Sequence, residues 1–172
     1  MKKAQAAVGI QYAALPYRLV GRRVHILLMT SRGTRRWVIP KGWPMKGLKP
    51  QDAAAMEAAE EAGLIGRIDD RPIGSYRYLK QLADEKEIAV QVILFPMLIS
   101  GQADSWKEQG QREHHWFHYR KAAALVAEPS LRKLIREFGR RQTPGVLASA
   151  RRLRGVRWSL NLLRPPVHPR AL

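Results

Sequence analysis

The sequence predicts an α/β fold in which a mixed β-sheet is covered by helices on both faces. Three observations predict it. Short apolar runs of strand period flank a single early helix, the run from Ile88 to Leu98 is apolar on both faces as a central strand must be, and two segments of helical spacing follow the last strand.

Taken in order, the first strand is expected over Ala6 to Leu15, with Tyr12 within it and Tyr17-Arg18 just beyond. Val24 to Met29 is a clear strand: side chains alternate, so Val24, Ile26 and Leu28 share one face and His25, Leu27 and Met29 the other. Gly33 marks a turn. Arg36 to Pro40 is a short strand that Pro40 terminates, delivering the chain into Lys41-Gly42. Gly66 to Leu79 reads as a strand pair or one bent strand, interrupted at Asp70-Arg71-Pro72, and Ala83 to Lys86 is a polar turn. Asp104 to Arg112 is a polar connection, and His114 to Tyr119 is a further strand. Lys121 to Ala127 and Pro129 to Phe138 are helical, with Leu131, Leu134 and Ile135 on one face.

The helix between Lys49 and Gly63 organises the rest. Pro50 occupies a first helical position, Asp52 complements the positive helix start, and Gly63 supplies a left-handed exit. At about 100° per residue, Glu57, Glu60 and Glu61 fall within roughly a 100° arc. Ala55, Ala58, Ala59 and Ala62 cluster on nearly the opposite side, small enough for close approach to a sheet. Like charges at helical spacing destabilise one another, and a divalent cation reverses the sign of that interaction. Hard cations such as Mg²⁺ choose oxygen ligands and are commonly shared between one or two carboxylates and substrate phosphates. The plainer alternative is a solvated acidic face.

Net charge is +17 and the sequence pI is near 11.1, which point to anionic partners: nucleic acid, an acidic membrane surface or a densely phosphorylated small molecule. From Gln142 on there are six arginines and no acid, yet most of the excess lies before that point. Cysteine is absent, which excludes disulfides and thiolate metal sites and fits a reducing compartment. Ile88 to Ile99, interrupted by Gln91 and Pro96, falls short of the about 20 residues of a membrane span. A soluble cytoplasmic protein is expected. Gly42 to Gly47 has the first spacing of a phosphate-cradling P-loop, but Leu48-Lys49 follows where Lys-Ser/Thr is needed. His114, His115 and His118 are read as strand-face histidines rather than zinc ligands.

The stretch from Gly42 to Leu64 resembles the Nudix box, G-x5-E-x7-R-E-U-x-E-E-x-G-U, with U a bulky apolar residue. Gly42, Glu57, Glu60, Glu61 and Gly63 fall on its fixed positions, and Leu64 on its last apolar one. Leu48 stands where the family has its first glutamate, Met56 where it has arginine, and Ala58 is small for its apolar slot. Thr30-Ser31-Arg32, Arg36 to Pro40, the Lys41-Gly-Trp-Pro loop and Trp116-Phe117 are similar to the branch acting on diphosphoinositol polyphosphates and dinucleoside polyphosphates.

The resemblance implies a Nudix-type α/β/α sandwich with a mixed β-sheet, assigned to residues 1–141; residues 142–172 have no counterpart in it and are read as a basic extension, helical or disordered. Leu147 to Leu163 could form an amphipathic helix there, ended by Pro165-Pro166, packed on the domain or in contact with RNA or membrane. It also implies hydrolysis of a phosphoanhydride in a highly anionic small molecule, with Mg²⁺ or Mn²⁺ as cofactor. Glu60 and Glu61 are then expected as metal ligands, Glu57 as ligand or base, and the Lys41 carbonyl as a further ligand. Glu108 and Glu113 are additional candidates. Arg18, Arg32, Arg36, Lys41 and Lys46 form the expected substrate clamp, arginine forks matching phosphate oxygens bidentately. Two other readings stay open: an RNA 5′-end pyrophosphohydrolase, and a weakened module that binds polyphosphate or RNA without turnover.

Overall fold

The computed structural model describes residues 8–81 and 87–152, with 144–152 described by backbone alone. The elements run β1 (Gly9–Val20), β2 (Arg23–Thr30), β3 (Trp37–Val38), β4 (Lys41–Gly42), α1 (Pro50–Ala62), β5 (Leu64–Ile68), β6 (Gly74–Gln81), β7 (Glu87–Gln102), β8 (His114–His118), α2 (Tyr119–Leu125) and α3 (Pro129–Arg152). The interrupted segment is therefore a strand pair, β5 and β6, separated at Asp69 to Ile73.

Apolar residues on both sides of β7 place it inside the sheet. It pairs in parallel with β1, from Gly9↔Val90 to Tyr17↔Leu98, and its other edge pairs antiparallel with β6 and β5 in succession. On the far side β1 meets β4 through Tyr12↔Gly42 and then β2 through Tyr17↔Ile26, and β2 carries β3 and β8. One parallel pair among antiparallel ones makes the sheet mixed, as expected.

Period-two alternation divides the core into two layers. Val24, Ile26 and Leu28 of β2 join Val90, Val92 and Leu94 of β7 beneath Ala122, Leu131, Ile135 and Phe138 of the two late helices. Leu27 and Met29 join Phe95 and Met97 beneath Ala54, Ala58 and Ala62 of α1. The small side chains on α1 have a structural consequence. With only methyl groups facing the sheet, the helix lies close enough that a glutamate on its flank reaches the β4 backbone.

Helix α1 begins and ends where the local signals place it. Pro50 is at its start, and Gly63 caps it at φ 64°, its N–H donating to Ala59 O at 2.9 Å. Its orientation differs in one respect from the three-carboxylate face. Glu61 is 8 % exposed and turned inward beside Ala58 and Ala62, while Glu57 and Glu60 stay half-buried. A 100° arc is wide enough to straddle the boundary between core and solvent, and here it does.

Helix α3 passes through residues 141 and 142 without interruption and continues to Arg152. The turn expected at Ala83 to Lys86 lies outside the described residues. So does residue 153 onward, including most of the helix expected over Leu147 to Leu163. No described helix is long and apolar enough to cross a membrane.

Candidate active site

Three elements meet at the C-terminal half of α1: β4, the helix itself and the connection from β7 to β8. The backbone N–H of Lys41 donates to Glu61 Oε2 at 3.1 Å. Arg112 Nη2 donates to Glu61 Oε1 at 2.5 Å, its Nε to Glu108 Oε2 at 3.0 Å, and its Nη1 to Thr30 O at 3.2 Å. The Arg112 side chain is only 7 % exposed, so this is a buried charge held by two carboxylates and a carbonyl. Burial pushes the Glu61 carboxyl up to about 7, against the lowering pull of Arg112 and Lys41. Burial likewise lowers the Lys41 amine, with Glu61 opposing it.

The connection docks on the end of α1 rather than looping away. Glu108 N–H donates to Glu60 O at 3.0 Å, Ala103 N–H to Gly63 O at 2.8 Å, and Gln102 Nε2 to Ala62 O at 2.9 Å. These bonds satisfy carbonyls that a helix end leaves without partners. Trp106 lies across Gly63, where a Cβ would sit 2.5 Å from its ring. His114 Nε2 donates to Glu61 O at 3.2 Å, and burial lowers its pKa.

Glu57 occupies a different niche. A Cβ on Gly42 would lie 1.8 Å from Glu57 Oε1, so the carboxylate fits against β4 only because residue 42 has no side chain. Its pKa is raised first by burial, then by the neighbouring charges of Glu60 and Glu108. Glu60 is paired at 2.7 Å with Lys107, a solvent-exposed contact that lifts the lysine pKa and contributes little to stability.

Among the described residues no three or more His, Asp or Glu side chains form a ready metal cage. The donor set nonetheless suits a hard cation. Glu57 and Glu60 are adjacent, mutually repelling oxygen donors, and Mg²⁺ needs only one or two carboxylates beside water and substrate phosphate. Glu61 differs, because each of its oxygens already accepts a hydrogen bond.

The expected cations are only partly gathered. Arg32 reaches Glu108 at 3.6 Å, and Lys41 sits at Glu61 with its amine 5.6 Å from the Tyr78 ring centre. The charge of Arg36 is felt at Tyr78, whose pKa burial pushes up to about 12. Arg18 lies over the Trp116 ring at 4.3 Å, and Lys46 is exposed in the turn before α1. Glu113 pairs with Arg35, leaving Glu108 as the candidate nearer the carboxylates. Sequence reasoning missed Arg112, Lys107 and Trp106. Trp106 carried a readable signal, a large apolar ring in a polar stretch.

A model of the NUDIX domain matches residues 12–138. Among curated proteins, the chain is 26% identical over 135 residues to the Arabidopsis thaliana Nudix hydrolase 12, mitochondrial, covering 77% of this chain and 64% of the relative. It is 28% identical over 109 residues to Nudix hydrolase 18, mitochondrial, of the same plant, covering 59% and 60%. The chain thus spans less than two thirds of the length of these relatives. Among solved structures, a C. elegans Ap4A hydrolase superposes with a TM-score of 0.54 at 20% identity, covering 77% of this chain and 96% of that one. The NUDIX domain of Shewanella oneidensis NrtR, complexed with ADP ribose, superposes with a TM-score of 0.57 at 15% identity, covering 80% and 92%. At those identities the likeness is one of fold.

Proposed function

Because this chain belongs to the NUDIX domain family, we propose that it is a divalent-metal-dependent hydrolase of a phosphoanhydride bond in a highly anionic small molecule. Diphosphoinositol polyphosphates and dinucleoside polyphosphates are the favoured substrates. The observation that carries the reading is the seating of Glu57 on Gly42 beside Glu60. It sets two like-charged carboxylates side by side, Glu60 paired to the solvent-exposed Lys107, at the mouth of a loop bearing Lys41 and Lys46.

In this reading Glu57 and Glu60 hold Mg²⁺ or Mn²⁺, with Glu61 and the Lys41 carbonyl completing the expected ligand set. When bound, such a cation neutralises phosphate oxygens and makes water a better nucleophile. The chain's own residues do the rest. Where Glu57 is left off the cation, its proton affinity, raised by burial and like charge, suits it to accept a proton from water instead. Arg32, Arg36, Lys41 and Lys46 orient the polyphosphate, and Arg18 extends the clamp past Trp116. Arg112 anchors Glu61 so that the helix end and β4 keep a fixed spacing.

A second reading, a module that binds polyphosphate or RNA without turnover, draws support from the two hydrogen bonds already made to the Glu61 carboxylate. One experiment separates the two. Product release is measured from diphosphoinositol, dinucleoside and 5′-triphosphorylated RNA substrates with and without Mg²⁺ or Mn²⁺, for the wild type and Glu60→Gln. Metal-dependent turnover abolished by the substitution is expected. Tight metal-independent binding with no turnover of any substrate would establish the binding module instead.

The box departures supply a further prediction. Leu48 and Met56 are both exposed, at 41% and 37%, so neither holds the core together. Met56→Arg restores the family's cation beside Glu57 and lies one turn before Glu60. The expected result is a lower Mg²⁺ concentration for half-maximal turnover, with stability altered by no more than about 0.5 kcal/mol. An unchanged Mg²⁺ titration would show that Glu57 needs no such partner here.

A further inference from the structure

A groove of about 540 Å³ opens between α2 and α3, lined by Arg120, Arg132, Lys133, Arg136 and Arg140 with Glu137 as its one acid. These helices cover the sheet face opposite α1, so the groove belongs to the other layer from the carboxylate site. Glu137 is already engaged by Lys133 at 4.0 Å and Arg141 at 3.6 Å, which leaves the groove strongly positive. Arg132 Nη2 donates to Val126 O at 3.2 Å, but its Nε is buried and has no hydrogen-bond partner. A buried guanidinium donor without an acceptor is uncommon and calls for one.

The arrangement is linear. Arg132, Arg136 and Arg140 recur every fourth residue, about 6 Å apart along one side of α3 at ~1.5 Å rise per residue. At its other end the groove meets a second basin of about 370 Å³ through Tyr119 and Arg120, where Arg22 and Arg23 add further cations. A compact anion would engage two or three of these groups and leave the others repelling one another. A chain of phosphates engages them all. Tyr119, the aromatic residue of the groove, is 6% exposed and offers no stacking platform, so bases would not be read there. Arginine forks suit phosphate oxygens, and this lining is arginine-rich.

We propose that the α2/α3 groove binds the phosphodiester backbone of nucleic acid without sequence preference. The site is separate from the carboxylates and does not depend on the hydrolase reading. The test is fluorescence anisotropy of end-labelled oligo-U and oligo-A RNA on the full chain across a KCl series. Equal affinity for the two is expected, with log K falling by about 0.7 per decade of salt for each phosphate neutralised.

Arg136 and Arg140 are exposed, so Arg136→Gln/Arg140→Gln removes charge without disturbing the core. This pair should flatten the slope by about 1.4. Glu137→Gln should tighten binding, and Glu60→Gln should leave it unchanged. An unaltered slope in the double variant would overturn the proposal. So would displacement of RNA by tripolyphosphate at equal molar concentration, since that would identify a compact anion site.

Discussion

Arg112→Ala is expected to lower the free energy of unfolding by roughly 3–5 kcal/mol, the range for removing one partner of a buried ion pair. The magnitude follows from what is left behind. Arg112 is 7% exposed and serves Glu61, Glu108 and the Thr30 carbonyl together, so its loss takes the counter-charge from Glu61, leaves Glu108 the longer contact to Arg32 at 3.6 Å, and frees one backbone acceptor. Glu61 keeps only the Lys41 N–H. The measurement is urea unfolding, in which the midpoint should fall with little change in slope.

The same variant should alter the pH dependence of stability in a definite direction. Glu61 has an ordinary carboxyl value of 4.5 and is raised to about 7 in the folded protein. Between those values the folded state binds more protons than the unfolded one, so stability falls as pH rises through the window. Without Arg112 the folded value rises further. The deficit of Arg112→Ala should therefore be largest well above pH 7, where Glu61 is ionised, and shrink as pH falls to about 7 and below, where that carboxyl is protonated in both proteins. A deficit below about 1 kcal/mol, or one independent of pH, would mean that water replaces the guanidinium and that Arg112 does not anchor the site.

Gly42→Ala is the second large effect, and it should fall on activity rather than stability. The added Cβ would stand 1.8 Å from Glu57 Oε1 and 2.0 Å from its Cδ. The obstructed group is the end of a flexible side chain, so Glu57 can swing away at small cost in stability. If Glu57 accepts the proton from water or holds the cation, kcat/KM should drop by on the order of 10²–10⁴-fold. The double variant Gly42→Ala/Glu57→Gln should be scarcely worse than Glu57→Gln alone, because both changes act through one carboxylate. Gly33→Ala, where an added Cβ meets nothing within 4 Å, is the control and should retain full activity. Full activity in Gly42→Ala would remove Glu57 from the chemistry.

Much of this protein was legible in its sequence, for reasons that are local. The bounds of α1 follow from Pro50 and Gly63, which act on their own backbone through a preset φ and a permitted left-handed turn. The two layers follow from alternation in β2 and β7, since a strand's geometry assigns odd and even residues to opposite faces. The grouping of Glu57, Glu60 and Glu61 follows from helical pitch.

Tertiary structure decided what pitch and alternation leave open. Periodicity states that three glutamates share an arc, but not which of them the core edge captures. Packing against β4 drew Glu61 inward and left Glu57 on Gly42. The counter-charge for Glu61 comes from Arg112, 51 residues away on a connection with no periodic pattern of its own. A contact between distant residues leaves no repeat in the chain, because its energy depends on approach in space and not on spacing in sequence. For the same reason the Arg132, Arg136 and Arg140 row could be counted in advance, whereas the groove it forms with Arg120 required α2 and α3 to fold against each other.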